Sequence, residues 1–271
     1  MSFPTDPSGA TDARFIAETL AFAEGLANAS GAILRENLHT RRGFHTKQDD
    51  SPVTDVDRHV EETLRTLIRH RYPGHGILGE EFDGQNLQAE YVWVIDPIDG
   101  TKAFITGIPI YGTLICLARH GTPIVGVIDH PVTSDRWTGA RGQPSRFNGR
   151  PITSRRCASL SEALLSCSNP EPFGPGERAV FETLRAQTKW CVYGSSCYAY
   201  GCVASGTIDL AIDCGRHREV DYCALVPVIE GAGGVITDWE GRPLTIHSGN
   251  RLIAAGDPER HAEALRILAG A

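Results

Sequence analysis

Apolar positions recur along the chain with two periods. Between residues 12 and 37, Phe15, Thr19, Phe22, Leu26 and Ile33 keep close to the 3.6-residue spacing of one helix face, which predicts an amphipathic helix. A second helix is predicted to begin near Thr54, a residue type that caps helix N-termini. It carries Val56, Val60, Leu64 and Leu67 on one face, and "YPGHG" stops it. The intervening "RRGFHTKQDDSPVTDVD" is polar and turn-rich. Short, unbroken apolar runs follow. "GILGEEF" reads as a strand running into paired glutamates, and "YVWVI" as the next strand. "YGTLICLARHGTPIVGVIDHP" reads as two strands joined at His120 and Gly121. Helical and extended patterns alternate from there to the end, where "YCALVPVIEGAGG" reads as a buried helix in spite of Pro227. The pattern predicts an α/β (α+β) fold with layered sheets. There is no internal repeat. The Pro/Gly-rich stretch around 142–151 is the best boundary, dividing an N-terminal part, 1–145, from a C-terminal part, 146–271.

Composition narrows the class. Of 271 residues, 41% are hydrophobic and 22% charged, an ordinary globular balance. The net charge of −7 argues against a nucleic-acid or anionic-membrane binder, which needs a basic face. A small phosphorylated substrate stays open, because bound metal ions reverse the sign locally. The start of the chain carries no basic segment followed by an apolar core, and no run approaches the ~20 apolar residues of a membrane span. A cytoplasmic location is therefore expected. The eight cysteines form no C-x-x-C pair, so buried, reduced thiols are expected rather than zinc ligands or disulfides.

The chemistry concentrates where strands end. In "WVIDPIDGTKAF", residues 93–104, two aspartates flank Pro97-Ile98 and a Gly-Thr pair follows. An ionised carboxylate out of water costs several kcal/mol unless paired or metal-bound. Asp, Pro and Gly also favour turns, so a turn and a cation site both fit this stretch alone. Other acids sit in comparable places: Glu80 and Glu81 after "ILG", Asp55 and Asp57 at a helix start, and Asp221 before "YCALVPVIEGAGG". Singly, each has a plain explanation as a helix-end charge or a solvated loop. Together they would repel one another and raise their own pKa values, which hard divalent cations relieve. A helix starting at Gly100-Thr101 would point free N–H groups at an anion, with no side chain at Gly100 to obstruct it, and the Thr101 hydroxyl would hold an attacking water.

"GEE" at 79–81, "WVIDPIDGT" at 93–101 and "VD…EGAGG" at 220–234, in this order along nearly the whole chain, resemble the inositol monophosphatase superfamily of metal-dependent phosphatases. The resemblance implies a layered αβαβα sandwich, Mg²⁺-dependent phosphomonoester hydrolysis with Mn²⁺ as substitute, and a homodimer. It further implies metal binding by Glu80, Asp96, Asp99, Asp221 and the Ile98 carbonyl. Asp57 with Thr101 would orient the nucleophilic water, with Glu81 beside them in the catalytic group, and the Gly100 and Thr101 amides would cradle phosphate. "DGTKAFITGIPIYGTLI" and "VDYCALVPVIEGAGG" resemble the histidinol-phosphatase branch, which serves histidine biosynthesis, although Val220 replaces an aromatic often found there. An inositol-phosphate or broader sugar-phosphate phosphatase is the alternative. Asp213, in "DLAIDCG", matches the position of an acidic substrate contact, where a carboxylate would face the ammonium of histidinol phosphate; a structural aspartate at a strand end fits equally. Ser195 and Ser196, in "YGSSCYAYG", are candidate pocket residues and candidate helix caps. A non-catalytic metal-binding protein is the contrasting class; it would have lost Asp57, Thr101 or a ligand, and all are present. No D-x-D-x-D-G calcium loop occurs.

Overall fold

The computed structural model describes residues 7–38, 40, 43–47 and 51–270. Parts of the polar stretch, 41–42 and 48–50, and residues 1–6 of the N-terminal segment lie outside the described residues. The first half runs α1 (Pro7–Glu36), β1 (His45–Thr46), β2 (Pro52–Val53), α2 (Asp55–Arg71), β3 (Gly76–Gly79), β4 (Tyr91–Asp99) and α3 (Thr101–Thr106). Then come β5 (Gly112–Arg119), β6 (Thr122–His130), β7 (Asp135–Ala140), β8 (Gln143–Phe147) and β9 (Arg150–Pro151). The second half contains β10 (Leu164–Cys167), α4 (Pro175–Gln187), β11 (Trp190–Tyr193), α5 (Ser196–Ala204) and β12 (Leu210–Asp213). It closes with α6 (Glu219–Tyr222), α7 (Leu225–Gly231), β13 (Val235–Thr237), β14 (Leu252–Ala255) and α8 (Pro258–Leu268).

Strands β3 to β9 form a seven-stranded sheet in sequence order, antiparallel except for the β3–β4 pair. A five-stranded mixed sheet has the order β11-β10-β12-β14-β13. The unbroken apolar runs have a direct cause: both sheets are covered on both faces. In β4, Trp93 and Ile95 join α1 and α2 in one core, while Val92 and Val94 point to the opposite core with α5, α6 and α7. In β14, Leu252 and Ala254 share that central core, and Ile253 and Ala255 turn to α4 and α8. The stack is therefore helix, sheet, helix, sheet, helix.

The hairpin at His120-Gly121 is a two-residue turn with φ of 48° and 79°, the left-handed pair that matches strand twist. Three other expectations need correction. The buried face of α2 is Val60, Leu64 and Ile68 together with Asp57, Glu61 and Arg65, and Leu67 is exposed. "YCALVPVIEGAGG" is not one helix: α6 ends at Tyr222 and α7 begins at Leu225, which puts Pro227 in a first turn where its missing N–H costs nothing. Strand β4 does not stop at Ile95 but continues to Asp99 through a bulge between Asp96 and Asp99.

Candidate metal and phosphate site

That bulge sets out the acids. Asp96 pairs across from Leu114 and Asp99 across from Gly112, with an extra residue between. Asp96 Oδ1 accepts the Ile98 N–H at 2.9 Å, which closes a tight turn. From behind, the buried Thr113 hydroxyl donates to the Pro97 carbonyl at 2.9 Å and contacts the Ser30 hydroxyl of α1. Asp221, the third residue of α6, accepts the Arg218 N–H at 2.6 Å through Oδ2. Asp99 Oδ2 accepts the Cys197 N–H at 2.7 Å at the start of α5. Two elements, β4 and α6, thus bring one carboxylate oxygen each from Asp96, Asp99 and Asp221 within 4.8 Å of one another, with the α5 amide steadying Asp99. Among the described residues this is the one such cluster of metal-ligating side chains.

Glu80 and Glu81 follow β3. Glu80 lies close enough to Asp96 for its charge to raise that carboxyl, and Lys47 Nζ reaches Glu80 at 2.8 Å and Glu81 at 2.7 Å. Lys47 is a member that the sequence reading missed, because nothing local in "HTKQDD" marks it.

The electrostatics follow from crowding. Burial, then the charges of Glu80, Asp99 and Asp221, hold Asp96 well above the usual carboxylate range. Burial raises Asp99, with the Cys197 hydrogen bonds and His217 opposing. Burial pushes Asp221 up to about 7, against the pull of His217 and with added repulsion from Glu80 and Asp99. Burial and Glu80 push Glu81 up to about 7. The fit to a divalent cation is direct. The donors are all oxygen, they lie within one ion's reach, and without positive charge they hold protons instead. A purely cysteine/histidine site is absent among the described residues, and all eight cysteines are free thiols.

Asp57 combines two tasks. Its Oδ2 accepts the Thr54 N–H at 2.8 Å while Thr54 Oγ1 caps the amides of Val56 and Asp57. Its Oδ1 lies 3.5 Å from the Thr101 hydroxyl, which also donates to the Ile98 carbonyl at 3.1 Å. Burial lifts the Asp57 carboxyl to about 6, the Thr54 hydrogen bonds resisting. Asp55 is exposed. A helix does start at Thr101, preceded by Gly100 in the left-handed region at φ 84°. Glycine is required there by that angle, since an added Cβ would meet nothing nearer than 3.5 Å.

The model of the inositol monophosphatase family matches residues 16–269. The chain belongs to the inositol monophosphatase family. It is a phosphatase, as the family's members are. A protein named bifunctional phosphatase IMPL2, chloroplastic, from Arabidopsis thaliana is 42% identical over 92% of this chain and 74% of its own length. A histidinol-phosphatase of Mycobacterium tuberculosis is 39% identical over 72% of this chain and 77% of its own. The solved structure of an inositol monophosphatase from Zymomonas mobilis, 37% identical, superposes with a TM-score of 0.85 over 93% of this chain and 98% of the other.

Against the rest of this family phosphatase's site, two expectations change. Asp213 is 1% exposed and its oxygens are taken: by the Ser168 N–H at 2.8 Å, the Ser168 hydroxyl at 2.9 Å and the Tyr200 hydroxyl at 2.9 Å. A carboxylate so committed anchors its neighbours and has no free face for a substrate cation. His217, whose Nε2 stands 3.9 Å from Asp213, is the group between it and the cluster. Burial would lower the His217 pKa, but Asp213, Asp221 and Asp99 outweigh it and raise it. Ser195 precedes α5 without a side-chain cap bond, so neither serine serves as the expected cap. Ser196 takes a left-handed φ of 44°, and its Oγ lies 3.6 Å from where a Gly100 Cβ would stand. Cys197, whose amide holds Asp99, escaped the sequence reading because a backbone donor has no residue signature.

Proposed function

We propose that this phosphatase hydrolyses L-histidinol phosphate to L-histidinol and phosphate with Mg²⁺, or Mn²⁺ in its place. The metal reading rests on one observation, the Asp96–Asp99–Asp221 cluster within 4.8 Å. Glu80, Asp96, the Ile98 carbonyl, Asp99 and Asp221 would hold the ion. A divalent cation there supplies positive charge to the ester phosphate and to the attacking water. The Thr101 hydroxyl and Asp57 Oδ1 orient that water; its oxygen bonds to phosphorus as the phosphorus–ester bond breaks, Asp57, lifted to about 6, takes up the water's proton, and the departing alkoxide takes a proton from solvent water to leave as the alcohol. The Gly100 and Thr101 amides donate to the phosphate oxygens, and Ser196 borders the same space. Glu81, at about 7, is a second candidate acceptor once Lys47 is displaced from it.

The substrate reading is carried by the segments "DGTKAFITGIPIYGTLI" and "VDYCALVPVIEGAGG", which resemble the histidinol-phosphatase branch, and by the named histidinol-phosphatase at 39% identity. The second reading, an inositol monophosphatase, is favoured by the Zymomonas mobilis structure at 37%. A phosphate-release assay on L-histidinol phosphate and inositol 1-phosphate, with Mg²⁺ and with EDTA, tests both.

A homodimer belongs to the same proposal. Edge strand β11 leaves Trp190 (55%), Val192 (43%) and Tyr193 (48%) exposed, an apolar strip that a second copy would cover. Light scattering showing a monomer at working concentration would overturn it. No helix among the described residues is long and apolar enough to cross a membrane, and a cytoplasmic location is proposed with it. A two-part division is proposed as well, with the boundary moved from 145/146, which would cut β8, to the segment between Pro151, where the seven-stranded sheet ends, and Leu164, where the five-stranded one begins; most of the metal ligands precede it and Asp221 follows it.

A further inference from the structure

Glu61 is fully buried on α2, four residues after Asp57, and takes no part in the chemistry above. A carboxylate in that position is costly unless donors surround it. Arg65 Nε donates to its Oε1 at 2.8 Å. The Glu81 N–H donates to Oε2 at 2.7 Å and the Phe82 N–H to Oε1 at 3.3 Å. Arg65 Nη2 completes the grip by donating to the Phe82 carbonyl at 2.9 Å.

These backbone groups belong to the loop that carries Glu80. Strand β3 ends at Gly79, and Ile77 next bridges Gln85, so residues 80–84 lie outside the ladder. Their donors need partners from elsewhere, and Glu61 supplies them. The fit is close enough to dictate residue 79: a Cβ on Gly79 would stand 2.1 Å from Glu61 Oε1. Lys47 holds the same loop only by its side chains, with the cation that a divalent ion would replace. The hold that remains when metal enters is the one on the backbone.

We infer that Glu61, backed by Arg65, is a positioning residue that fixes the main chain at Glu81-Phe82 and so aims Glu80 at Asp96. It rests on the reading that Glu80 binds metal. One turn of α2 then sets two distances at once, because Asp57 and Glu61 sit about 6 Å apart along the same rigid axis. The water-orienting acid and the metal-ligand loop share a single support.

The test reads metal binding without turnover. Calorimetric titration of Mg²⁺ into substrate-free Glu61→Gln should give a dissociation constant raised about 10–100-fold, the usual effect of removing a group that orients a metal ligand. At saturating Mg²⁺, kcat should return to within about threefold of wild type. Gly79→Ala, which keeps the carboxylate but pushes it aside, should weaken Mg²⁺ in the same way, and much less so in a Glu61→Ala background, where the space is free. That coupling is the readout a merely structural role would not move, and Gly79→Ala alone, which keeps the buried carboxylate, carries the test if the Glu61 variants fail to fold. Unchanged Mg²⁺ affinity in both variants, or additive losses in the double variant, overturns the inference while leaving the phosphatase reading intact. A wild type that binds no Mg²⁺ removes the metal reading and this inference together.

Discussion

Replacing Asp57 by Asn separates the chemistry of that residue from its structural work. The carboxyl is 0% exposed and lifted from 3.8 to about 6. At about 1.4 kcal/mol per pKa unit, a two-unit rise means that ionised Asp57 weakens the metal-free fold by ~3 kcal/mol. The sign follows from linkage. Below about pH 4 the group is protonated folded and unfolded, and nothing is lost. As pH rises through about 6 the unfolded chain releases its proton more readily, and the fold loses that stability. Asn carries no charge and still offers an oxygen to the Thr54 N–H, so the cap at 2.8 Å persists. Asp221 titrates in both proteins and cancels in the difference, while Glu81, raised in part by the Asp57 charge, is eased in the variant and adds to its gain. Urea unfolding in EDTA at pH 4 to 8 should therefore show Asp57→Asn gaining on wild type by up to ~3 kcal/mol between pH 4 and 7, with no further gain above. In Mg²⁺ the same variant should lose about 10²–10⁴ in kcat, the range for a positioned acid or base. A stability difference that stays flat with pH would refute the burial argument. A kcat near wild type would refute the role assigned to Asp57.

Other outcomes follow from the same geometry. Asp96→Asn and Asp221→Asn should each lower activity by at least about 10² at saturating Mg²⁺, while relief of repulsion raises the metal-free melting temperature; near-normal turnover would contradict their assignment to the ion. Asp213→Asn turns an amide donor toward the Ser168 and Tyr200 donors, so stability should fall by about 1–3 kcal/mol, and kcat/KM for L-histidinol phosphate and inositol 1-phosphate should fall together. A selective loss on histidinol phosphate would restore a direct substrate contact to Asp213.

The legible parts of this molecule are those whose cause is local. The apolar run ending in D-P-I-D, the Thr54 cap and the His120-Gly121 turn each carry their geometry in adjacent residues. What escaped depends on partners far along the chain. Lys47 meets Glu80 across 33 residues, Cys197 meets Asp99 across 98, and Glu61 meets Glu81 across 20. The α2 face was misplaced for a different reason: Glu61 and Arg65, four residues apart, neutralise one another and take buried positions that a hydrophobic period cannot assign to them. Asp213 looked available because a strand-end aspartate reads alike whether it faces solvent or Ser168 and Tyr200.

The most direct measurement is phosphate release by the wild-type protein from L-histidinol phosphate and from inositol 1-phosphate, each with Mg²⁺ and with EDTA. Both substrates present the same phosphate group, so the metal site sets whether either turns over and the opposite end sets the preference. The expected result is a kcat/KM at least about tenfold higher for L-histidinol phosphate, a gap of about 1.4 kcal/mol, with both activities lost in EDTA. Equal values, or a preference for inositol 1-phosphate, would contradict the substrate reading, and full turnover in EDTA would contradict the metal site itself.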